Sequence, residues 1–126
     1  MIDFKNPSFI KLKYVKDDEG QKLVGDMLAD GESIFATFKS TRDTVVFTTR
    51  RVITISVQGV TGYKKCFTSL PYAKMQAYSV TTSSTLDVDN EVDLWYADLG
   101  QIHFDFVDNF DLRRFNKLLG EYLTAR

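Results

Sequence analysis

The chain has 126 residues, of which 44% are hydrophobic and 26% are charged, with a formal net charge of −1 at pH 7. Its length and its ten Phe and six Tyr residues are enough for one buried core without disulfides or metals, which excludes wholesale disorder. The near-balance of acidic and basic residues argues against a protein that works mainly by neutralising nucleic-acid phosphates.

Residues 1–30 are expected to form an N-terminal helical extension. The acids Asp17, Asp18 and Glu19 stand where a helix begins, and an apolar stripe at helical spacing follows them: Leu23, Val24, Met27 and Leu28. The apolar residues upstream fit neither the helical nor the strand period, so their conformation stays open at this point. The first residues lack the pattern of a signal peptide, and no segment approaches the roughly 18 apolar residues of a membrane span. We therefore expect a cytoplasmic protein.

Residues 31–107 are expected to form the β-sheets. From residue 32 to residue 106 the hydrophobic period is two, and about seven short strands are predicted near residues 34–38, 43–49, 51–56, 63–70, 75–82, 91–97 and 101–106. Thr49-Arg50 and Leu99-Gly100 supply tight turns. Cys66 is the only cysteine, which excludes an intrachain disulfide and zinc sites built on paired cysteines. The order of elements predicts an antiparallel sandwich or a partly open barrel.

Residues 108–124 are expected to form a C-terminal helix that closes the sheets. Asp108 or Asn109 is the predicted N-cap, and the stripe expected to lie on the sheet is Leu112, Phe115, Leu118, Leu119 and Tyr122. The sequence shows no repeat, low-complexity stretch or linker. Residues 1–126 are therefore expected to form a single domain.

Three motifs invite a catalytic or metal-binding interpretation, and each has a simpler one. His103 lies on the outward face of an alternating strand, without a nucleophile in a pocket beside it. The acidic run from Asp87 to Asp93 would need glycine at Val92 to form an EF-hand loop. The loop from Gly59 to Lys65 lacks the helix that follows a phosphate-binding loop. We expect no catalytic residue, no metal site and no cofactor.

A basic patch is the remaining candidate for ligand binding. If the neighbouring hairpins point the same way, five cations could gather into a patch for an anion or a lipid headgroup: Arg42, Arg50, Arg51, Lys64 and Lys65.

Several short motifs, read in order, resemble the bacterial pleckstrin-homology-like (bacterial PH) domain family. They are Leu28-Ala29-Asp30-Gly31-Glu32, the segment from Arg42 to Arg51, Gln58-Gly59-Val60-Thr61-Gly62-Tyr63-Lys64-Lys65, Leu70-Pro71-Tyr72 and the segment from Leu86 to Glu91. The resemblance covers about residues 23–123, nearly the whole chain. It implies a mainly β (α+β) PH-like fold, a partly open barrel of two orthogonal antiparallel sheets with about seven strands and a C-terminal capping helix.

The resemblance also has departures. The acid and glycine that family members usually have near Thr81-Thr82-Ser83-Ser84 are missing. The inositide-binding signature of eukaryotic PH domains is reduced to Lys39-Ser40-Thr41-Arg42, and Trp95 lies on a strand rather than in the helix. Some family members form homo-oligomeric rings, which is what the resemblance implies about partners.

The leading functional hypothesis is a non-enzymatic scaffold that acts through protein–protein contacts and homo-oligomerisation, with itself and an unidentified protein as partners. Apolar residues without an obvious place in the core are the candidates for self-association: Phe4, Phe9, Ile10, Leu12, Tyr14 and Tyr78. The alternative for the N-terminal segment is that it folds over its own sheet edge and leaves a monomer. The alternative function is the anion or lipid-headgroup module. Neither nucleic acid nor a membrane is an expected partner.

Overall fold

The computed structural model describes residues 8–58, 64–82, 90–107 and 110–125. The described strands are β1 (Ser8–Val15), β2 (Ile34–Lys39), β3 (Asp43–Thr48), β4 (Arg51–Gln58), β5 (Lys64–Pro71), β6 (Met75–Thr82), β7 (Asn90–Tyr96) and β8 (Gly100–Val107). The helices are α1 (Asp17–Val24), between β1 and β2, and α2 (Leu112–Leu123), after β8. One-turn 3₁₀ helices occupy Gly25–Met27 and Tyr72–Lys74. No helix among these residues is long and apolar enough to cross a membrane.

The described strands form one eight-stranded sheet in the order β5-β4-β3-β2-β1-β8-β7-β6. Strands β2 to β5 make one antiparallel meander, and β6 to β8 make a second. β1 lies between them, antiparallel to β2 and parallel to β8. The two expected sheets are thus joined through β1, and the fold is mainly β as predicted.

The strand β1 corrects two predictions, because the described residues form eight strands rather than about seven and residues 8–15 are not helical. Its core-facing residues Phe9 and Leu12 are three positions apart rather than two. The pairing with β8 shifts register between them, so the strand holds one extra residue there, a β-bulge. The bulge explains why the segment matched neither hydrophobic period. Helix α1, in contrast, begins at the predicted acids.

The seven strands predicted from alternation are confirmed, with ends that differ by one or two residues. Phe47 pairs with Val52, so Thr49-Arg50 is the two-residue turn of the β3–β4 hairpin. The β7–β8 connection ends at Gly100, whose φ of +82° lies in the left-handed region that favours glycine.

Helix α2 places its apolar stripe on the sheet, as predicted. Leu112, Phe115 and Leu119 are buried, together with Leu123, while Tyr122 is half-buried. The predicted cap is wrong: Asp111 is the N-cap, and its Oδ1 accepts a hydrogen bond from the Arg114 amide at 3.1 Å. Asp108 and Asn109 lie outside the described residues.

The main core is aromatic and lies between the sheet and α2. Phe115 is 4% exposed, and its ring centroid is 5.2 Å from those of Phe38 and Phe47 and 5.5 Å from that of Phe106. The other face of β2–β4 carries a smaller cluster in which Val24 of α1 packs with Val46, Ile53 and Ile55. Apolar side chains therefore pack on both faces of β2–β4.

We expect Phe115→Ala to lower the free energy of unfolding by about 3–5 kcal/mol, because it removes a ring that contacts three other buried rings. Arg113→Ala on the exposed face of α2 is the control and should change stability by less than about 0.5 kcal/mol. Denaturant unfolding measures both. Equal stabilities of the two variants would contradict the assignment of the buried face.

Candidate functional site

Among the described residues, the two terminal strands of the sheet are β5 and β6, and each is paired on one side only, with β4 and β7 respectively. Unpaired strand edges present backbone N–H and C=O groups that can pair with another chain. β5 carries the charged Lys64 and Lys65 and ends at Pro71, features that discourage such pairing. β6 carries neither a charge nor a proline. The edge of β6 is thus the better candidate for pairing.

A groove of about 1140 Å³ runs beside β6 and reaches the end of α2. Met75 and Tyr78 line it from β6, Tyr122 lines it from α2, and Arg50 lines it from the β3–β4 turn. Met75, Tyr78 and Tyr122 also pack against the core cluster, so each is only partly available. The groove places apolar and aromatic side chains next to an open strand edge, an arrangement suited to an added strand with apolar residues.

The candidates for self-association fall into different environments. Phe9 is 4% exposed and Leu12 is fully buried, and Phe9 stacks on Phe104 with ring centroids 5.4 Å apart. The premise that these two residues lack a place in the core is therefore wrong. Ile10 and Tyr14 are 55% and 44% exposed, and Tyr78 is half-buried. Phe4 lies outside the described residues.

The five cations predicted as one patch are divided between opposite ends of strand β4. Arg51 begins β4 and pairs with Pro71, whereas Lys64 pairs with Gln58 at the far end, about 23 Å away at the usual rise per residue. Arg42 joins the Lys64 end, since its carbonyl accepts a hydrogen bond from the Val57 amide at 3.4 Å. The patch is therefore not a single site.

Arg51 is also engaged in holding the fold. Its Nε donates to Glu32 Oε2 at 3.0 Å, and its Nη2 donates to Glu32 Oε1 at 3.1 Å and to the Met27 carbonyl at 2.8 Å. Its Nη1 donates to Ser69 Oγ at 3.0 Å. This guanidinium ties the segment after α1 to strands β4 and β5, so its role is structural.

Glu32 is buried, and its carboxylate accepts hydrogen bonds from three partners. Burial raises the pKa of Glu32, but hydrogen bonds from Arg51, the Thr48 hydroxyl and the Ala29 amide outweigh it and hold the pKa below the ordinary value. The folded protein therefore stabilises the ionised form of Glu32 over its protonated form.

A second groove, of about 660 Å³, lies between β1 and the β2–β3 turn. Four cationic side chains line it, Lys11 and Lys13 from β1, Lys39 from the end of β2 and Arg42 from the turn. The predicted patch contained only Arg42 of these four. Lys11 and Lys13 come from β1, a strand that the periodicity did not reveal, and Lys39 lies at the end of the predicted strand β2. The sequence signal that could have revealed the two cations of β1 was the alternation of Lys11 and Lys13 with apolar residues.

His103 faces carboxylates rather than a nucleophile. Its Nδ1 lies 2.7 Å from Asp93 Oδ1 and its Nε2 lies 3.4 Å from Glu91 Oε1. Gln101 donates to the same Asp93 oxygen at 2.8 Å. Asp93 pairs directly with His103 across the β7–β8 ladder, a register that the sequence alone does not give. The pattern is that of a polar network on the outer face of the sheet.

Comparison with known protein families matches residues 3–123 to the bacterial PH domain. The chain belongs to the bacterial PH domain family. The family resemblance carried by the sequence motifs is thereby confirmed.

This bacterial PH domain is similar to two solved structures and to a curated protein sequence. A protein with a pleckstrin-homology domain from Shewanella loihica PV-4 superimposes with a TM-score of 0.74 at 29% identity, over 90% of this chain and 98% of that one. A pleckstrin homology domain from Shewanella amazonensis SB2B gives a TM-score of 0.63 at 29% identity, over 88% and 90% of the two chains. The Bacillus subtilis (strain 168) protein YjqA is 40% identical over 75 residues, which span 60% of each chain.

The Glu32–Arg51 pair predicts a specific pH dependence. Glu32→Gln should cost about 2–3 kcal/mol at neutral pH, the scale of charge-assisted hydrogen bonds. Because the folded-state pKa of Glu32 is lowered, the stability it contributes is present above the ordinary value of 4.5 and is lost as pH falls through the folded-state pKa. The difference between wild type and variant should therefore shrink in acid.

Denaturant unfolding across a pH series measures this difference. Asp98→Asn, which neutralises an exposed carboxylate in the β7–β8 turn, is the control and should show a small difference at every pH. A Glu32→Gln difference that stayed constant from neutral to acid pH would count against the assignment.

Proposed function

We propose that this bacterial PH domain is a non-catalytic binding module that acts through protein–protein contacts, with a second copy of the chain as its partner and the open edge of β6 as the interface. The observation that carries the proposal is the contrast between the two terminal strands. β6 offers eight uncharged residues, about 26 Å of edge at the usual rise per residue. β5 instead carries Lys64, Lys65 and Pro71, which discourage pairing with another strand.

A second copy suits this edge because identical uncharged strands bring no like-charge repulsion into register. Antiparallel pairing of β6 with its counterpart in another copy would place the same surface on both sides and close a dimer. Pairing of β6 with β5 of the next copy would instead repeat head to tail, and would build a ring or a filament. Lys64 and Lys65 make the first arrangement the favoured one.

The groove beside β6 adds side-chain contacts to the backbone pairing. A strand laid along β6 would bring alternate side chains over Met75, Tyr78 and Tyr122. Aromatic side chains of this kind bury large areas at interfaces with little loss of conformational entropy. We therefore propose β6, rather than the N-terminal segment, as the self-association surface. Of the candidates predicted from the sequence, Tyr78 lies on this strand.

The surroundings of His103 support the non-catalytic part of the proposal. A general base needs a ring nitrogen within reach of the proton that it removes. Here both ring nitrogens face carboxylate oxygens, those of Asp93 and Glu91. The histidine is thus placed to serve the polar network on the sheet surface.

Ala77→Lys tests the interface, because a charged side chain on an edge strand discourages strand pairing. Ala77 is exposed on β6, and Ala97→Lys makes the same substitution at an exposed position in the β7–β8 turn. We expect light scattering to find an oligomer for the wild type and for Ala97→Lys, and a monomer for Ala77→Lys.

The mass of the wild-type species separates the two arrangements. Two copies indicate pairing of β6 with β6, and a larger closed assembly indicates pairing of β6 with β5. A wild-type chain that is monomeric at micromolar concentration would contradict self-association. An Ala77→Lys oligomer of unchanged mass would show that the interface does not lie at β6.

A further inference from the structure

A cleft of about 510 Å³ lies where β1, α1 and β2 meet the start of α2. It shares none of its described lining residues with the groove beside β6, so it is separate from the surface of the proposed function. Its lining combines aromatic rings with carboxylates and a guanidinium. Cavities of about 300–1000 Å³ with apolar walls and a few polar groups are the usual form of small-molecule sites. The cleft therefore has the size and the composition of a ligand site.

Aromatic side chains supply the apolar part of the cleft, and most of them stay partly exposed. Tyr14 is 44% exposed and stacks on the half-buried Phe110, with ring centroids 5.9 Å apart and ring planes at 10°. Phe35 is also half-buried, and its ring centroid lies 6.2 Å from that of the buried Phe115. Such rings bury large apolar areas when a ligand covers them. The cleft thus offers a surface for an apolar group.

Close packing of the surrounding elements holds the cleft in place. A Cβ atom on Gly20 of α1 would collide with the Thr37 side chain of β2, so this helix lies directly on the strand. On the other side, the Asp111 carbonyl accepts a hydrogen bond from the Phe115 amide at 3.0 Å and fixes the first turn of α2. A cleft formed by packed elements loses little conformational entropy when a ligand binds.

Charged side chains line the cleft from two helix starts: Asp17 from the first turn of α1, and Asp111 and Arg114 from the beginning of α2. Asp111 is engaged in the fold, because its Oδ1 accepts a hydrogen bond from the Arg114 amide at 3.1 Å. The Asp17 carboxylate and the Arg114 guanidinium form no hydrogen bond or ion pair with each other or with any other residue that the structure describes. One negative and one positive group therefore remain available to a ligand.

The charge of Asp17 is only partly compensated by its surroundings. Partial burial raises the pKa of Asp17, the attraction of Arg114 lowers it by less, and the neighbouring Asp18 raises it further. The pKa is raised as a result, so the ionised carboxylate is less favourable here than in water. An ammonium group placed beside Asp17 would favour the ionised form.

We propose that this cleft binds a free α-amino acid with an apolar side chain. The ligand ammonium would pair with Asp17, and the ligand carboxylate would accept two parallel hydrogen bonds from the Arg114 guanidinium. The apolar side chain would lie against the partly exposed rings. A simple amine or a simple carboxylate would leave one of the two protein charges without a partner. An α-amino acid carries both charges on one carbon atom, whereas a peptide carries them at opposite ends.

Titration of the full chain with L-phenylalanine, followed by NMR chemical shifts, tests the proposal. Two analogues each lack one charge of this amino acid, since phenethylamine has no carboxylate and 3-phenylpropionate has no ammonium. We expect both analogues to bind about tenfold more weakly than phenylalanine, as for the loss of one charge-assisted hydrogen bond. The amide signals of Asp17 and Arg114 should be among those that shift.

Variants of the two charged residues assign each charge of the ligand. Asp17→Asn should weaken phenylalanine binding about tenfold and leave 3-phenylpropionate binding no weaker, because that analogue has no ammonium. Arg114→Gln should likewise weaken phenylalanine binding and leave phenethylamine binding no weaker. Asp18→Asn and Arg113→Gln remove the same charges from exposed neighbours that do not line the cleft. These two controls should bind phenylalanine as the wild type does.

Failure of the wild type to bind phenylalanine at millimolar concentration would overturn the proposal. So would either analogue binding as tightly as phenylalanine, because one of the two protein charges would then be unused. An equal loss of phenylalanine binding in Asp17→Asn and Asp18→Asn would also overturn it, because it would show attraction by net charge without a site. A preference for phenylalanine that is lost in Asp17→Asn and Arg114→Gln, and kept in both controls, would support the proposal.

Discussion

The insertion of β1 between β2 and β8 is the constraint on which the rest of the structure depends. Without it, both β2 and β8 would be edge strands and the two meanders would share no backbone hydrogen bonds in the described part of the sheet. β1 also supplies Phe9 and Leu12 to the core, and the exposed Tyr14 stacks on Phe110 with centroids 5.9 Å apart. The N-terminal strand is therefore a central element of the domain.

The position of β1 decides which edges of the sheet remain open. Because β1 pairs on both sides, the edges left unpaired in the described sheet are those of β5 and β6. These two strands follow each other in sequence across the 3₁₀ turn Tyr72–Lys74. The side chains on those two edges differ, with Lys64 and Lys65 on β5 and no charge on β6. The proposed interface at β6 thus depends on where the chain places its first strand.

The bulge in β1 also determines which side chains of this strand face the core and which face solvent. It satisfies the core with Phe9 and Leu12 while it turns Lys11 outward, and it does so at the cost of a left-handed backbone at Lys11. The groove formed with the β2–β3 turn therefore depends on the packing of the core as well as on surface charge. The edge of β6 and the groove at Lys11 are separate surfaces that rest on one structural element.

The sequence predicted the regular parts of the fold and missed those that depend on long-range pairing. Alternation revealed β2 to β8, and the stripe through Phe115 and Leu119 revealed α2, because these patterns are local. β1 was missed because its bulge replaces a spacing of two by a spacing of three between Phe9 and Leu12. The helix cap was misplaced because several capping residues stand close together before α2, and only the structure distinguishes Asp111.

The candidate site was harder to predict than the fold. Whether cations gather depends on the strand end at which each one lies, so Arg51 and Lys64 were grouped although they occupy opposite ends of β4. The partnership of Arg51 with Glu32 joins residues 19 positions apart, and that of His103 with Asp93 requires the β7–β8 register. Neither kind of information is present in a local pattern.

Native-state hydrogen exchange of the β1 amides tests most directly whether this strand is integral to the domain. If β1 joins the two meanders, its hydrogen-bonded amides should exchange only in the same opening that exposes β2 and β8, with equal opening free energies. Rapid exchange of β1 amides while β2 and β8 remain protected would show a peripheral segment, and would contradict the central place given to β1.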